Sequence, residues 1–146
     1  LTVIKDRLLI IIVATVSITL FATCAAWLGG WTQHVSITIT DLLPAAINAL
    51  AAALLLLGIG ICTYGFKPRL TSVVVYSVIG WAFLVEMLGS VINLNHFILD
   101  TSLLHHVPLV PATDQNWQIV WVYCLLGIVL LAAGIIRFTK RDIETN

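Results

Sequence analysis

Four stretches of this chain run almost free of charge for roughly 18–23 residues each: Leu8–Gly29, Leu42–Tyr64, Leu70–Val91 and Ile119–Ile136. A helix rising about 1.5 Å per residue needs about 20 residues to cross the hydrocarbon of a bilayer. A soluble fold of 146 residues cannot hide four such runs, because most residues of a small domain still touch water. Hydrophobic residues make up 60% of the chain, charged residues 10%, and the mean hydropathy is +1.07. An ordinary soluble domain is about 25% charged. Soluble globular domains, disordered tails and nucleic-acid binders are thereby excluded. The runs are continuous rather than alternating, which excludes a β-barrel. The expected fold is all-α: an integral membrane bundle of four helices in a lipid bilayer.

The basic residues order the spans. Lys5 and Arg7 precede the first, Lys67 and Arg69 separate the second from the third, and Arg137, Lys140 and Arg141 follow the fourth. Residues 30–41 and 92–118 contain no Lys or Arg. All 7 basic residues thus fall on one side, which the positive-inside bias makes cytoplasmic, with both ends of the segment facing in. The expected setting is the plasma membrane of a bacterium. His34, His96, His105 and His106 fall on the outer side, and Trp27, Trp31, Trp117 and Trp121 lie where an outer aromatic belt belongs. The first apolar run exceeds the 7–15 residues, roughly, of a signal-peptide core, so it reads as a span. The chain starts at Leu1 and reads as a fragment of a larger protein, with Lys5-Asp6-Arg7 in an internal cytoplasmic loop. Cys24, Cys62 and Cys124 lie within spans and form no CxxC pair; they read as small packing residues.

Polar residues break the apolar pattern at a few points. Thr15, Thr19 and Thr23 recur every fourth position and share one helix face. Ala45, Ala49 and Ala53 do the same in the second span, with Asn48 beside them and Gly58 and Gly60 further in. Such stripes allow close helix packing, with hydroxyls or amides bonding across, or a weakly polar wall along a substrate path. Glu86 is the sole ionisable side chain inside a span apart from the thiols and phenols. It lies about 25 Å along the helix from Arg69 at about 1.5 Å per residue, in the outer third of the span. Ser90, Gly89 and Asn93 continue its face. A carboxylate there is expected to face the bundle or a wet cavity, as a polar point on a translocation route or as an acceptor for an adjoining loop.

Residues 92–118 are long and apolar for a connection, but Asp100-Thr101-Ser102 interrupts them with capping residue types, and Pro108 and Pro111 stop any helix begun there. The segment 92–110 is expected to form a re-entrant or interfacial hairpin of short helices. Adjacent His105 and His106 point apart on a helix, and no HxxxH or HExxH spacing occurs, so no metal site is expected. No Walker loop or nucleophile elbow is present in the sequence.

The run Leu104-His105-His106-Val107-Pro108-Leu109-Val110-Pro111, the following Trp117, one last span and the tail Arg137-Phe138-Thr139-Lys140-Arg141-Asp142-Ile143 resemble the C-terminal end of type 2 ATP-binding-cassette exporter permeases. The closest likeness is to the subgroup described as exporters of polyketide antibiotics. Gly80-Trp81-Ala82-Phe83-Leu84-Val85-Glu86-Met87-Leu88-Gly89 is similar to the penultimate helix of that subgroup. The resemblance covers Asp41 to Ile143. It implies that these are the third to sixth spans of a six-span permease half, without its first two spans and coupling helix. It also implies an outer hairpin with His105, His106, Pro108 and Pro111, and a path for hydrophobic or amphipathic cargo near Glu86, Ser90, Asn93, Asn48 and the threonine stripe. Its partners would be the remaining spans or a second permease half and a separate ATPase subunit. That subunit binds ATP and Mg, so this chain carries no cofactor and is not itself an enzyme. Two other classes stand beside this one: a four-span membrane enzyme using Glu86 with His96, His105 or His106 as acid and base, and a structural membrane subunit.

Overall fold

The computed structural model describes residues 2–35, 38–91, 96–103, 105–108, 110 and 112–143. Its elements are α1 (Thr2–Thr32), α2 (Ile39–Phe66), a 3-10 turn (Pro68–Leu70), α3 (Thr71–Val91), α4 (His96–Leu99) and α5 (Trp117–Ile143). The described residues contain no strand. Four helical stretches are long and apolar enough to cross a membrane: Leu8–Thr32, Ile39–Phe66, Pro68–Gly89 and Trp117–Thr139. Each coincides with an expected span. All but the third run past it at both ends or at the outer one, because polar flanking residues continue a helix readily once the apolar segment has nucleated it.

The helix ends are set locally. After α1 the chain turns through His34, at φ 55, so that Val35 N–H reaches the Gly30 carbonyl at 3.0 Å and His34 N–H the Trp31 carbonyl at 3.2 Å. This is a Schellman closure with histidine where glycine is the usual residue. At the start of α2 the Asp41 carboxylate accepts from the Thr38 N–H at 2.9 Å, satisfying a donor at the helix entrance. Lys67 is extended (φ −145, ψ 90), and Pro68, which has no N–H to lose, opens the short turn into α3.

The backbone of the bundle is the pair α2 and α5. A Cβ placed on Gly58 would lie 2.5 Å from the Gly127 carbonyl oxygen, and one on Gly65 would lie 2.5 Å from that of Gly134. Both partners advance by the same seven residues, so the two helices run in the same direction with a heptad register, as connections through α3 require. Nothing larger than hydrogen fits at these contacts. Outward from the glycines, Ala51, Ala52, Leu55, Val120 and Tyr123 form the buried core. The alanine stripe expected from the sequence is not the contact face: Ala49 is exposed, while Ala51 and Ala52 are buried. The register imposed by Gly58 and Gly65 selects Ala51 and Leu55, which lie on their face of the helix. At the basic end Tyr64 and Phe138 stack with centroids 5.8 Å apart, and the Arg137 guanidinium lies 5.6 Å from the Phe66 ring centroid.

The helices α1 and α3 flank this pair. The half-buried stripe of α1 is Thr15, Thr19, Thr23 and Trp27, so the threonine face is a packing face. The hydroxyls do not bond across helices. Each donates to the carbonyl four residues earlier, Thr15 to Ile11, Thr19 to Thr15 and Thr23 to Thr19, at 2.8–2.9 Å, the local bond open to any helical threonine. Other residues of α1 are bare, among them Leu9, Ile18 and Phe21 at 64%, 68% and 78% exposure. On α3, Ala82 and Val85 face inward. The cysteines are free; Cys24 is exposed and Cys62 and Cys124 are half-buried.

Candidate functional site

The outer segment is where the polar side chains meet. Its α4 is a single turn, His96–Leu99, and it does not continue into a second helix among the described residues. Thr101 ends it, donating its hydroxyl to the Ile98 carbonyl at 2.6 Å. The capping residue types at 100–102 thus close one helix instead of opening another. The described residues between 102 and 116 form no further helix. Part of the segment is buried: Ser102 is 1% exposed and its hydroxyl reaches the Ala82 carbonyl at 3.5 Å, while Asp100, His105 and residues 112–114 are exposed.

Hydrogen bonds from three helix side chains, Asn48, Trp81 and Tyr123, lock this segment onto the helices. Asn48, 4% exposed, and Gln115 exchange their amides, with Asn48 Nδ2 donating at 3.0 Å and Gln115 Nε2 donating back at 2.6 Å. Asn48 Nδ2 also reaches the Pro108 carbonyl at 3.3 Å. Tyr123 donates its hydroxyl to the Leu103 carbonyl. Trp81 Nε1 donates to Thr101 Oγ1 at 3.1 Å. Buried amides and carbonyls carry a desolvation penalty unless paired, so these bonds fix the segment in place.

A groove of about 380 Å³ remains between α3, the segment and α5. Ser77, Val78 and Trp81 line it from α3, Asp100 to Leu103 and His106 from the segment, and Tyr123 from α5. The volume is in the range of small-molecule pockets, about 300–1,000 Å³. His106 Nδ1 lies 3.1 Å from the Ser102 carbonyl. A carbonyl only accepts, so Nδ1 is the donor in this contact.

The residues expected at a site are distributed unevenly. His106 lines the groove, and His105 is exposed beside it. Asn48 anchors the segment through Pro108 and Gln115 instead of lining a path. Glu86 does not face the bundle: it is exposed on α3, away from the inward-facing Ala82 and Val85, and no described residue bonds to it. Its position follows from the helix turn, since Val85, one residue earlier, takes the interior. Thr15, Thr19 and Thr23 belong to the α1 packing face. Asn93 and Pro111 lie outside the described residues, as do the side chains of Ser90 and His96. The sequence reading missed Gln115, Asp100 and Tyr123 as site residues. The signal available for Tyr123 was a lone hydroxyl inside an apolar span, and for Gln115 its place just before one.

Four membrane-length helices, an α2–α5 pair packed through glycine and a groove under the outer segment define a helical bundle suited to a membrane. The chain belongs to the family described as multidrug efflux system permease Rv1217c, C-terminal domain, whose model matches residues 2–139. This agrees with the resemblance of its motifs to the C-terminal part of an exporter permease. Neither a curated protein nor a solved structure matches the chain.

Proposed function

We propose that this chain is the membrane-spanning part of an ATP-driven exporter of hydrophobic or amphipathic, antibiotic-like small molecules. It works with a separate ATP-binding-cassette ATPase that binds ATP and Mg, and with the remaining permease spans or a second permease half. The observation that carries the reading is the family match over residues 2–139, in a chain whose four apolar helices suit a membrane. Lys67, Arg69 and Arg137 gather at one end of the bundle, which supports a cytoplasmic placement of that end and of both termini in a bacterial plasma membrane. The ATPase docks there. ATP-driven closure moves the halves as units, and the glycine-packed α2–α5 pair is the stiffest unit available to carry the motion. Cargo leaves past the outer groove and the face of α3 that bears Glu86.

The acid–base enzyme alternative finds no support in the geometry, since Glu86 and His106 do not share the groove. The test is affinity purification of the full-length protein from gently solubilised native membranes. A co-purifying ATPase subunit whose hydrolysis rises with added amphipathic drug is the expected result. Isolation of the protein without any ATPase, and with no nucleotide hydrolysis, overturns the reading.

A further inference from the structure

We propose that the groove between α3, the outer segment and α5 binds the ammonium group of an amphiphilic amine. Four of the donors along the groove are committed inward: Trp81 Nε1–H to Thr101, the Thr101 hydroxyl to Ile98, the Ser102 hydroxyl to Ala82 and the Tyr123 hydroxyl to Leu103. Asp100 is exposed and has no partner among the described residues. His106 Nδ1 is engaged by the Ser102 carbonyl. A site with most of its described side-chain donors engaged and a free carboxylate selects a ligand that brings both N–H donors and positive charge.

The remaining walls choose the rest of the molecule. Trp81, 50% exposed, and Tyr123 supply aromatic surface, and Val78 and Leu103 supply aliphatic surface. Aromatic faces beside a carboxylate favour an organic cation over a hydrated metal ion. A groove of about 380 Å³ holds an amine with an apolar body and excludes a large macrocycle. Anions are disfavoured beside the Asp100 carboxylate. The amine has two possible sources, a soluble drug-like molecule or the ethanolamine headgroup of a lipid, and both present the same N–H-bearing cation. The proposal deepens the efflux reading by naming a class of cargo, but binding is measured without transport.

The experiment titrates the full-length protein in phosphatidylcholine nanodiscs with dansylcadaverine, a primary alkylammonium on an apolar fluorophore, and with its neutral N-acetyl derivative. Empty discs supply the background. Saturable binding of the amine is expected, weaker by roughly tenfold or more for the acetylated probe and for the variant Asp100→Asn. Asp100→Glu retains most of the affinity, and Trp81→Leu loses part of it. Asp100 is exposed and unpaired among the described residues, so its amide variant keeps the fold. Displacement of the probe by phosphatidylethanolamine added to the discs identifies the lipid headgroup as the natural amine, and no displacement identifies a soluble one. Equal binding of the two probes, or unchanged binding by Asp100→Asn, overturns the proposal. Export assays on the same variants are read separately: amine binding without any export leaves this site standing and removes the efflux reading.

Discussion

Among the described residues, Asn48 makes three of the hydrogen bonds that hold the outer segment. It bonds both Gln115 and the Pro108 carbonyl from a position 4% exposed. Asn48→Ala strands the Gln115 amide and that carbonyl together, which costs about 1–3 kcal/mol for each buried group left unpaired. A clear fall in the thermal midpoint of the purified protein is expected, with export reduced in proportion to the protein lost. Fluorescence-detected thermal denaturation checks it; an unchanged midpoint would show that the clasp does not hold the segment. Glu86 calls for the opposite expectation. It has no bonding partner among the described residues, so neither Glu86→Gln nor Glu86→Ala should lower membrane abundance. A carboxylate held at membrane depth is costly in lipid and marks a functional point, so both variants should lower export. Normal export by both would remove Glu86 from the mechanism. Reduced abundance of the Ala variant alone, with normal export by the Gln variant, would make it a structural acceptor.

At the scale of helices, the glycine contacts between α2 and α5 set the register of the bundle. Gly65→Ala or Gly134→Ala puts a methyl group 2.5 Å from a carbonyl oxygen of the facing helix, and the backbones must part. Loss of folded protein, read as a lowered thermal midpoint, is expected for each. Gly80→Ala is the control, since nothing lies within 4 Å of its added carbon. It should be neutral or stabilising by up to about 1 kcal/mol through helix propensity. Equal damage at all three positions would locate the cost in the helices themselves and not in their contact. Here the sequence was legible in part. Span length and apolarity are properties of each helix alone, and they place all four. Which face of a helix meets which neighbour depends on the partner's register. The fourfold spacing of Ala45, Ala49 and Ala53 therefore looked like a seam, while the true seam follows the heptad from Gly58 to Gly65. The threonine stripe illustrates the same limit: its face was readable, but the backbone four residues back is always within reach of the hydroxyl. Gln115 and Tyr123 were unreadable as site residues because their partners, Asn48 and the Leu103 carbonyl, are distant in the chain.

The whole molecule is a bundle whose basic residues sit at one end and whose histidines sit at the other. Single cysteines near Lys67 or Lys140 are expected to react with a membrane-impermeant maleimide only in inverted vesicles, and those near His34 or Thr113 only from outside intact cells. Labelling near Lys67 from outside would reverse the arrangement. The proposed function is outward movement of amphipathic molecules driven by ATP. Inverted membrane vesicles containing the full-length protein and its co-expressed ATPase, supplied with a fluorescent amphipathic drug, test it directly. ATP should drive accumulation of the drug inside the vesicles, and a non-hydrolysable analogue or omission of the protein should abolish it. Accumulation that is the same with and without ATP, in vesicles where both proteins are present and folded, would contradict the claim.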